Sequence, residues 1–269
     1  MKVILYDEGA GKELNIEEVA QYLAQKLGKV EIELRGNPFI SNLPQDMVSD
    51  FAGKIARTKV QEIGQEIPPE QEPLYREIEY EKRRISGRTK AFGILYDGFY
   101  LQRVFPEIIP REELRLEFTH IIFTNRLFGT WDINNKRYHI RTSIYGIPSL
   151  VSTTGLIEAP AKPREYYLMK QRYEMLRKDL TELKDSFKGS FIDYEDKRLT
   201  EVAKGYAMQA VFYSLTGNPF CEDKGCRLYN AHWQEELISA QLESGYEFCQ
   251  RHSELLNKEL SSEKGELHA

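Results

Sequence analysis

The sequence predicts a mixed α+β or α/β protein: a mixed, twisted sheet that begins with a βαβ unit, followed by a helical C-terminal half. Three observations lead there. An apolar run, a helix-periodic segment and an alternating segment follow one another within the first 35 residues. Strand-like runs dominate from Ala91 to Glu158. Beyond Pro160 and Pro163, apolar residues recur every three or four positions instead of every two.

The first apolar run is KVILY, residues 2–6, a buried strand. Asn15 then caps a helix, with Glu18 as its capping-box partner. Ile16, Val19, Leu23 and Leu27 line one helical face, and Gly28 stands where a C-terminal cap belongs. Val30, Ile32 and Leu34 alternate as a strand does, so the unit reads as parallel βαβ. A second helix is expected over 44–57. Residues 61–90, with Pro68, Pro69 and Pro73 among glutamates and then a dense charge run, read as a surface excursion.

Strand material returns with AFGILYDG, EFTHIIFTNRLFG, RYHIRTSIYG and SLVSTTGLIE. In RYHIRTSIYG, Tyr138, Ile140, Thr142 and Ile144 share one face, and His139, Arg141, Ser143 and Tyr145 the other. From 164 to 188 the sequence predicts one long amphipathic helix. Tyr166, Met169, Tyr173, Leu176, Leu180, Leu183 and Phe187 form its heptad seam, which would serve packing within the chain or a dimer through 166–187. Leu199, Val202, Tyr206 and Tyr213 mark a further helix ending at Gly217. Another is expected over 233–243, and a short one after Cys249.

Bulk composition narrows the function classes. The 269 residues, 41% hydrophobic and 29% charged, suit a single domain with a sizeable core. A net charge of −5 offers no basic field for nucleic acid. The N-terminal apolar run is too short for a leader or membrane anchor, and no stretch approaches a membrane span, so a cytoplasmic protein without membrane association is expected.

The chemistry-bearing residues cluster late. All three cysteines, Cys221, Cys226 and Cys249, fall within 29 residues, and His252 follows the last by one helical turn. An odd cysteine count argues against a disulfide framework. Four residues, Gly225 among them, separate Cys221 from Cys226, and Cys249-x2-His252 supplies a second pair. Four such ligands with no open position describe one structural zinc ion, stabilising a C-terminal subdomain over 218–258. His232 competes with His252 for the fourth place. Glu222, Asp223, Glu235 and Glu236 flank the cluster and oppose phosphate contact.

This register resembles a known family. Archaemetzincins, zinc metallopeptidases of the metzincin group, carry HExxHxxGxxHC, continue as C-x4-C-x-M and close with C-x2-C. AVFYSLTGNPFC, residues 210–221, aligns with that motif at Gly217 and Cys221. Cys226 also matches; Leu228 stands for the methionine and His252 for the last cysteine. The resemblance implies a metzincin-like domain, a zinc cofactor and a peptide cleft. It also implies a loss. The three histidines that would bind catalytic zinc are Ala210, Ser214 and Phe220, and the general-base glutamate is Val211. None of these supplies a metal ligand or a base of the required kind. The degenerate positions therefore predict a non-catalytic relative with one structural zinc and a cleft that binds a peptide or protein partner. Two alternatives stand beside it: an active zinc hydrolase with displaced ligands, drawn from His139, His232 and Glu235 or Glu236, and a scaffold acting through the seam helix. Of the other histidines, His120 reads as a hydrogen-bonded core residue, and His268 lies in the tail.

Overall fold

The computed structural model describes residues 1–68, 71–87 and 93–262. Pro69, Ala91, Phe92 and His268 lie outside the described residues. The elements run β1 (Lys2–Glu8), α1 (Ile16–Leu27), β2 (Glu31–Arg35), α2 (Pro38–Asn42), α3 (Val48–Arg57), α4 (Tyr75–Ile85), β3 (Leu95–Asp97), α5 (Gly98–Val104), β4 (Phe118–Thr124), β5 (Leu127–Asp132), β6 (Arg137–Arg141), β7 (Ser143–Ile144), β8 (Ser149–Ser152), α6 (Thr153–Glu158), α7 (Arg164–Met175), α8 (Leu180–Ser186), α9 (Leu199–Thr216), α10 (Gln234–Ile238) and α11 (Gln250–Ser262). The class is mixed α and β. A five-stranded sheet has the order β2-β1-β4-β8-β7, and a smaller one the order β3-β5-β6.

β1 runs parallel to both β2 and β4, β4 parallel to β8, and β7 closes the large sheet as an antiparallel edge strand. The apolar run of β1 is continuous because both faces are covered. Val3, Leu5, Ile121, Phe123 and Val151 pack with α1 and α9, whereas Ile4, Tyr6, Ile122 and Leu150 join a second core with Phe39, Phe51 and Phe105. The α1 cap forms as its residues dictate: the Glu18 amide donates to Asn15 Oδ1 at 3.1 Å. The Glu18 carboxylate takes the Asn15 side-chain amide, and the Asn15 backbone N–H goes to Thr200 Oγ1 on α9 at 2.9 Å, tying the two helices together.

Three segments depart from the sequence reading. SLVSTTGLIE is strand only to Ser152. There Ser152 Oγ accepts from the Gly155 amide at 2.8 Å and starts α6. Within the expected surface excursion of 61–90, Tyr75–Ile85 forms α4 against α3 and buries Glu81, Arg84 and Ile85. Its carboxylate is drawn inward because Arg126 is wholly buried and needs it: Arg126 Nη1 donates to Glu81 Oε2 at 2.6 Å.

The third departure concerns 164–188, which is two helices and not one. α7 stops at Met175, Arg177 adopts φ 52, and Asp179 caps α8 by accepting from the Thr181 amide. The seam folds back on itself, so Tyr166, Leu183 and Phe191 form a small core with Tyr173, Leu180 and Phe187. Leu176 is left 56% exposed at the bend. The seam thus lacks the unbroken heptads a coiled coil requires. Leu183→Ala is expected to cost about 2–5 kcal/mol by opening a cavity. Leu176→Glu should stay within about 0.5 kcal/mol of the parent. Denaturant midpoints and light scattering check both; a Leu176→Glu that splits a dimer would show that the bend serves an interface instead.

α9 is apolar on nearly every side and buried from Leu199 to Phe212 save for Glu201 and Lys204. It ends at Gly217, φ 74, whose N–H bonds the Tyr213 carbonyl at 2.8 Å. Gly217→Ala should cost about 1 kcal/mol through left-handed strain, read as a shifted denaturant midpoint. No helix among the described residues is long and apolar enough to cross a membrane.

Candidate metal centre and the cleft beside it

After Gly217 the chain leaves α9 and brings Cys221 alongside Leu228, whose carbonyl accepts the Cys221 N–H at 2.9 Å. Asp223 then shapes the turn to Cys226: its carboxylate accepts from the Gly225 amide at 3.0 Å and from the Tyr246 hydroxyl at 2.7 Å. An added Cβ at Gly225 would meet the Tyr246 hydroxyl oxygen at 2.5 Å, so a larger residue there would push that exposed ring away from Asp223. Cys249 stands immediately before α11 and His252 one turn into it, so the two face the same way. The imidazole of His252 packs edge-on against Phe212 of α9, 5.4 Å between centroids.

These four residues converge. One ligand atom from each of Cys221, Cys226, Cys249 and His252 lies within 4.8 Å of all the others. Cys221 Sγ to Cys249 Sγ is 3.8 Å, Cys226 Sγ to His252 Nδ1 is 3.8 Å, and Cys249 Sγ to His252 Nδ1 is 3.1 Å. A zinc–sulfur bond of about 2.3 Å gives a tetrahedral S···S edge of roughly 3.8 Å. The thiols are all free, and 3.8 Å is far beyond a disulfide bond. The donor set and spacing therefore fit a four-coordinate ion of zinc type. The Asp223 amide points at Cys221 Sγ at 3.3 Å and would support a thiolate there. Burial pushes the Cys226 thiol up to about 12 and raises that of Cys221. A bound cation would offset that cost, so uptake of metal would release protons.

A second feature lies along the edge strand. A cleft of about 420 Å³ opens between β7, the end of α9 and the segments around Phe220 and His232. Its floor is aromatic: Tyr145 stacks on Tyr213 at 6.1 Å and meets Phe220 edge-on at 5.7 Å. The Tyr145 hydroxyl donates to Gln209 Oε1 at 2.5 Å and accepts from Ser143 Oγ at 2.8 Å. Burial raises the Tyr145 phenol well above its ordinary range, so it stays neutral. Ala210 and Val211 are wholly buried in α9, Ser214 is half-buried, and Phe220 is partly exposed beside the cleft.

Over residues 1–259 the sequence matches the family described as "Probable metallopeptidase family (DUF6775)". The chain belongs to that family. No curated protein and no solved structure matches it.

For a DUF6775 member the expected chemistry starts with metal, and among the described residues only the Cys221, Cys226, Cys249 and His252 group gathers three or more ligand side chains. His232 stands apart from it. Its backbone N–H donates to Glu236 Oε2 at 3.1 Å, and its exposed side chain borders the cleft. His139 lies in the middle of β6, Nε2 3.4 Å from Asp132 Oδ2 at the end of β5. The displaced ligand set drawn from His139, His232 and Glu235 or Glu236 is not brought together. His120 is a bonded core residue, with Nδ1 3.1 Å from the Tyr6 hydroxyl and Nε2 3.0 Å from the Glu113 carbonyl. Sequence reasoning missed Tyr145 and Tyr213 as cleft residues. Helical spacing marked Tyr213 as a packing position, and nothing local tells which partner Tyr145 meets.

Proposed function

We propose that this chain is a non-hydrolytic member of its metallopeptidase family, related to the archaemetzincins. One closed zinc ion, held by Cys221, Cys226, Cys249 and His252, anchors the C-terminal part, and the cleft beside α9 binds peptide. The observation that carries the reading is the side-chain chemistry at the motif's positions, of which Phe220 lines that cleft while Ala210 and Val211 are buried in the core behind it. The motif's ligand and base positions are Ala210, Val211, Ser214 and Phe220, and aromatic rings of Tyr145, Tyr213 and Phe220 fill the neighbourhood. Hydrolysis would need a metal with a free coordination position and a nearby base. A cluster of three thiolates and an imidazole satisfies a tetrahedral ion completely. The parallel βαβ start, the mixed sheet and a helix ending at a glycine turn support the metzincin relation. The unpaired side of β7 offers a route for an extended peptide to add as a strand.

Elemental analysis of protein purified without added metal tests the first half: one zinc per chain is expected, lost when Cys226 becomes Ser. Incubation with unstructured peptides tests the second, with binding but no cleavage expected. Two ions per chain, with cleavage that a chelator abolishes and zinc restores, would overturn the reading in favour of an active peptidase.

A further inference from the structure

The cleft beside α9 has a one-sided charge. No aspartate or glutamate lines it, in a chain with 42 acidic residues. Its single permanent charge is Arg141, exposed at the end of β6. Arg141 Nε donates to Thr130 Oγ1 at 2.8 Å, which orients the guanidinium. Neither of its terminal nitrogens has a hydrogen-bond or ion-pair partner among the described residues.

Backbone geometry beside it is equally specific. The Ser152 amide donates to the Thr142 carbonyl at 2.8 Å, and the antiparallel ladder continues through Ser143↔Val151. Alternation then turns the Ser143 amide and carbonyl away from β8, toward the free edge of the sheet. Within a few residues the cleft thus combines strand-pairing groups, an aromatic floor and an uncommitted guanidinium.

We propose that the cleft recognises the free C-terminus of an extended peptide whose last residue is large and apolar. The inference rests on the peptide-binding reading above. The terminal carboxylate pairs with Arg141, whose planar fork suits two parallel hydrogen bonds to one carboxylate. The last side chain lies on Tyr145, Tyr213 and Phe220, and the preceding backbone bonds to Ser143 as an added strand. A nucleic acid would require several cations along its backbone, and the cleft has one permanent charge.

The test uses the full chain and an N-terminally labelled heptapeptide ending in Phe, as free acid and as C-terminal amide, followed by fluorescence anisotropy. The free acid should bind about tenfold or more tightly than the amide, the ratio expected for a charge-assisted hydrogen bond. Arg141→Gln should erase that ratio with thermal melting unchanged. Arg141→Lys, which keeps the charge without the fork, should give an intermediate ratio and serves if the glutamine variant is destabilised. Equal affinity of acid and amide for the parent chain would overturn the inference and leave peptide binding intact. No binding of either would overturn both. Displacement of the labelled acid by hydrocinnamate, at concentrations matching the unlabelled peptide, would show that the cleft takes small aromatic acids and not chain ends.

Discussion

Chelation of the proposed zinc ion, or Cys226→Ser, is expected to lower the melting temperature by about 10–20 °C, the shift that a loss of roughly 5 kcal/mol produces in a domain of this size. The reason is where the cluster sits. Cys226 is wholly buried and belongs to the same core as α1, α9, Leu228 and Leu237. His252 packs on Phe212 of α9. Releasing the ion would therefore loosen more than a surface loop: α11 would lose its attachment to the central helix, and three thiols would be left without a shared partner. Structural zinc sites contribute on the order of 10 kcal/mol in small peptides, comparable with the whole stability of a domain. The two perturbations should converge, with chelator adding nothing to Cys226→Ser. Hydrogen exchange should speed first over 218–258. A variant that melts early while chelator leaves the parent untouched would mean that the thiols are packing groups and hold no metal.

Arg126→Met should cost about 3–5 kcal/mol, the penalty for leaving buried charge uncompensated. Arg126 is fully buried and joins three separate parts of the chain. Its Nε lies 3.2 Å from Glu8 Oε1 at the end of β1, and its Nη1 lies 2.6 Å from Glu81 Oε2 on α4. Its guanidinium sits over the Tyr96 ring of β3 at 5.2 Å, and the Tyr96 hydroxyl donates to Glu81 at 2.6 Å. Thr124 donates to the other Glu8 oxygen. Removing the cation strands two carboxylates that are both almost inaccessible to water. Adding Glu8→Gln and Glu81→Gln to Arg126→Met should recover part of the loss, since neutral amides leave no unpaired charge. Urea midpoints of the single and triple variants measure it. If the triple variant is no more stable than Arg126→Met, lost packing rather than lost pairing explains the effect.

The contrast between these two sites marks what a linear reading reaches. The cysteines announce themselves because metal ligands come in short-range pairs, and a pair five or three positions apart is visible without knowing the fold. Their convergence on His252, and not His232, depends on α11 turning back to α9, a long-range matter. Glu81 was hidden for the opposite reason. It lies in a run of charges that reads as solvated, and its partners Glu8, Tyr96 and Arg126 are distant in sequence. No local signal says that Arg126 is buried.

By itself the sequence determined the parallel βαβ start, the Asn15 cap, the buried helix ending at Gly217 and the cysteine–histidine cluster, because periodicity, capping and ligand spacing act over a few residues. Tertiary structure decided where α7 gives way to α8, because Leu183 gains more by packing on Tyr166 and Phe191 than by extending a solvated helix. It decided that SLVSTTGLIE divides at Ser152. It also decided that Arg141, Tyr145, Tyr213 and Phe220 share one cleft. Such groupings arise from contacts across the whole chain, whose energies depend on three-dimensional burial and not on neighbours in sequence.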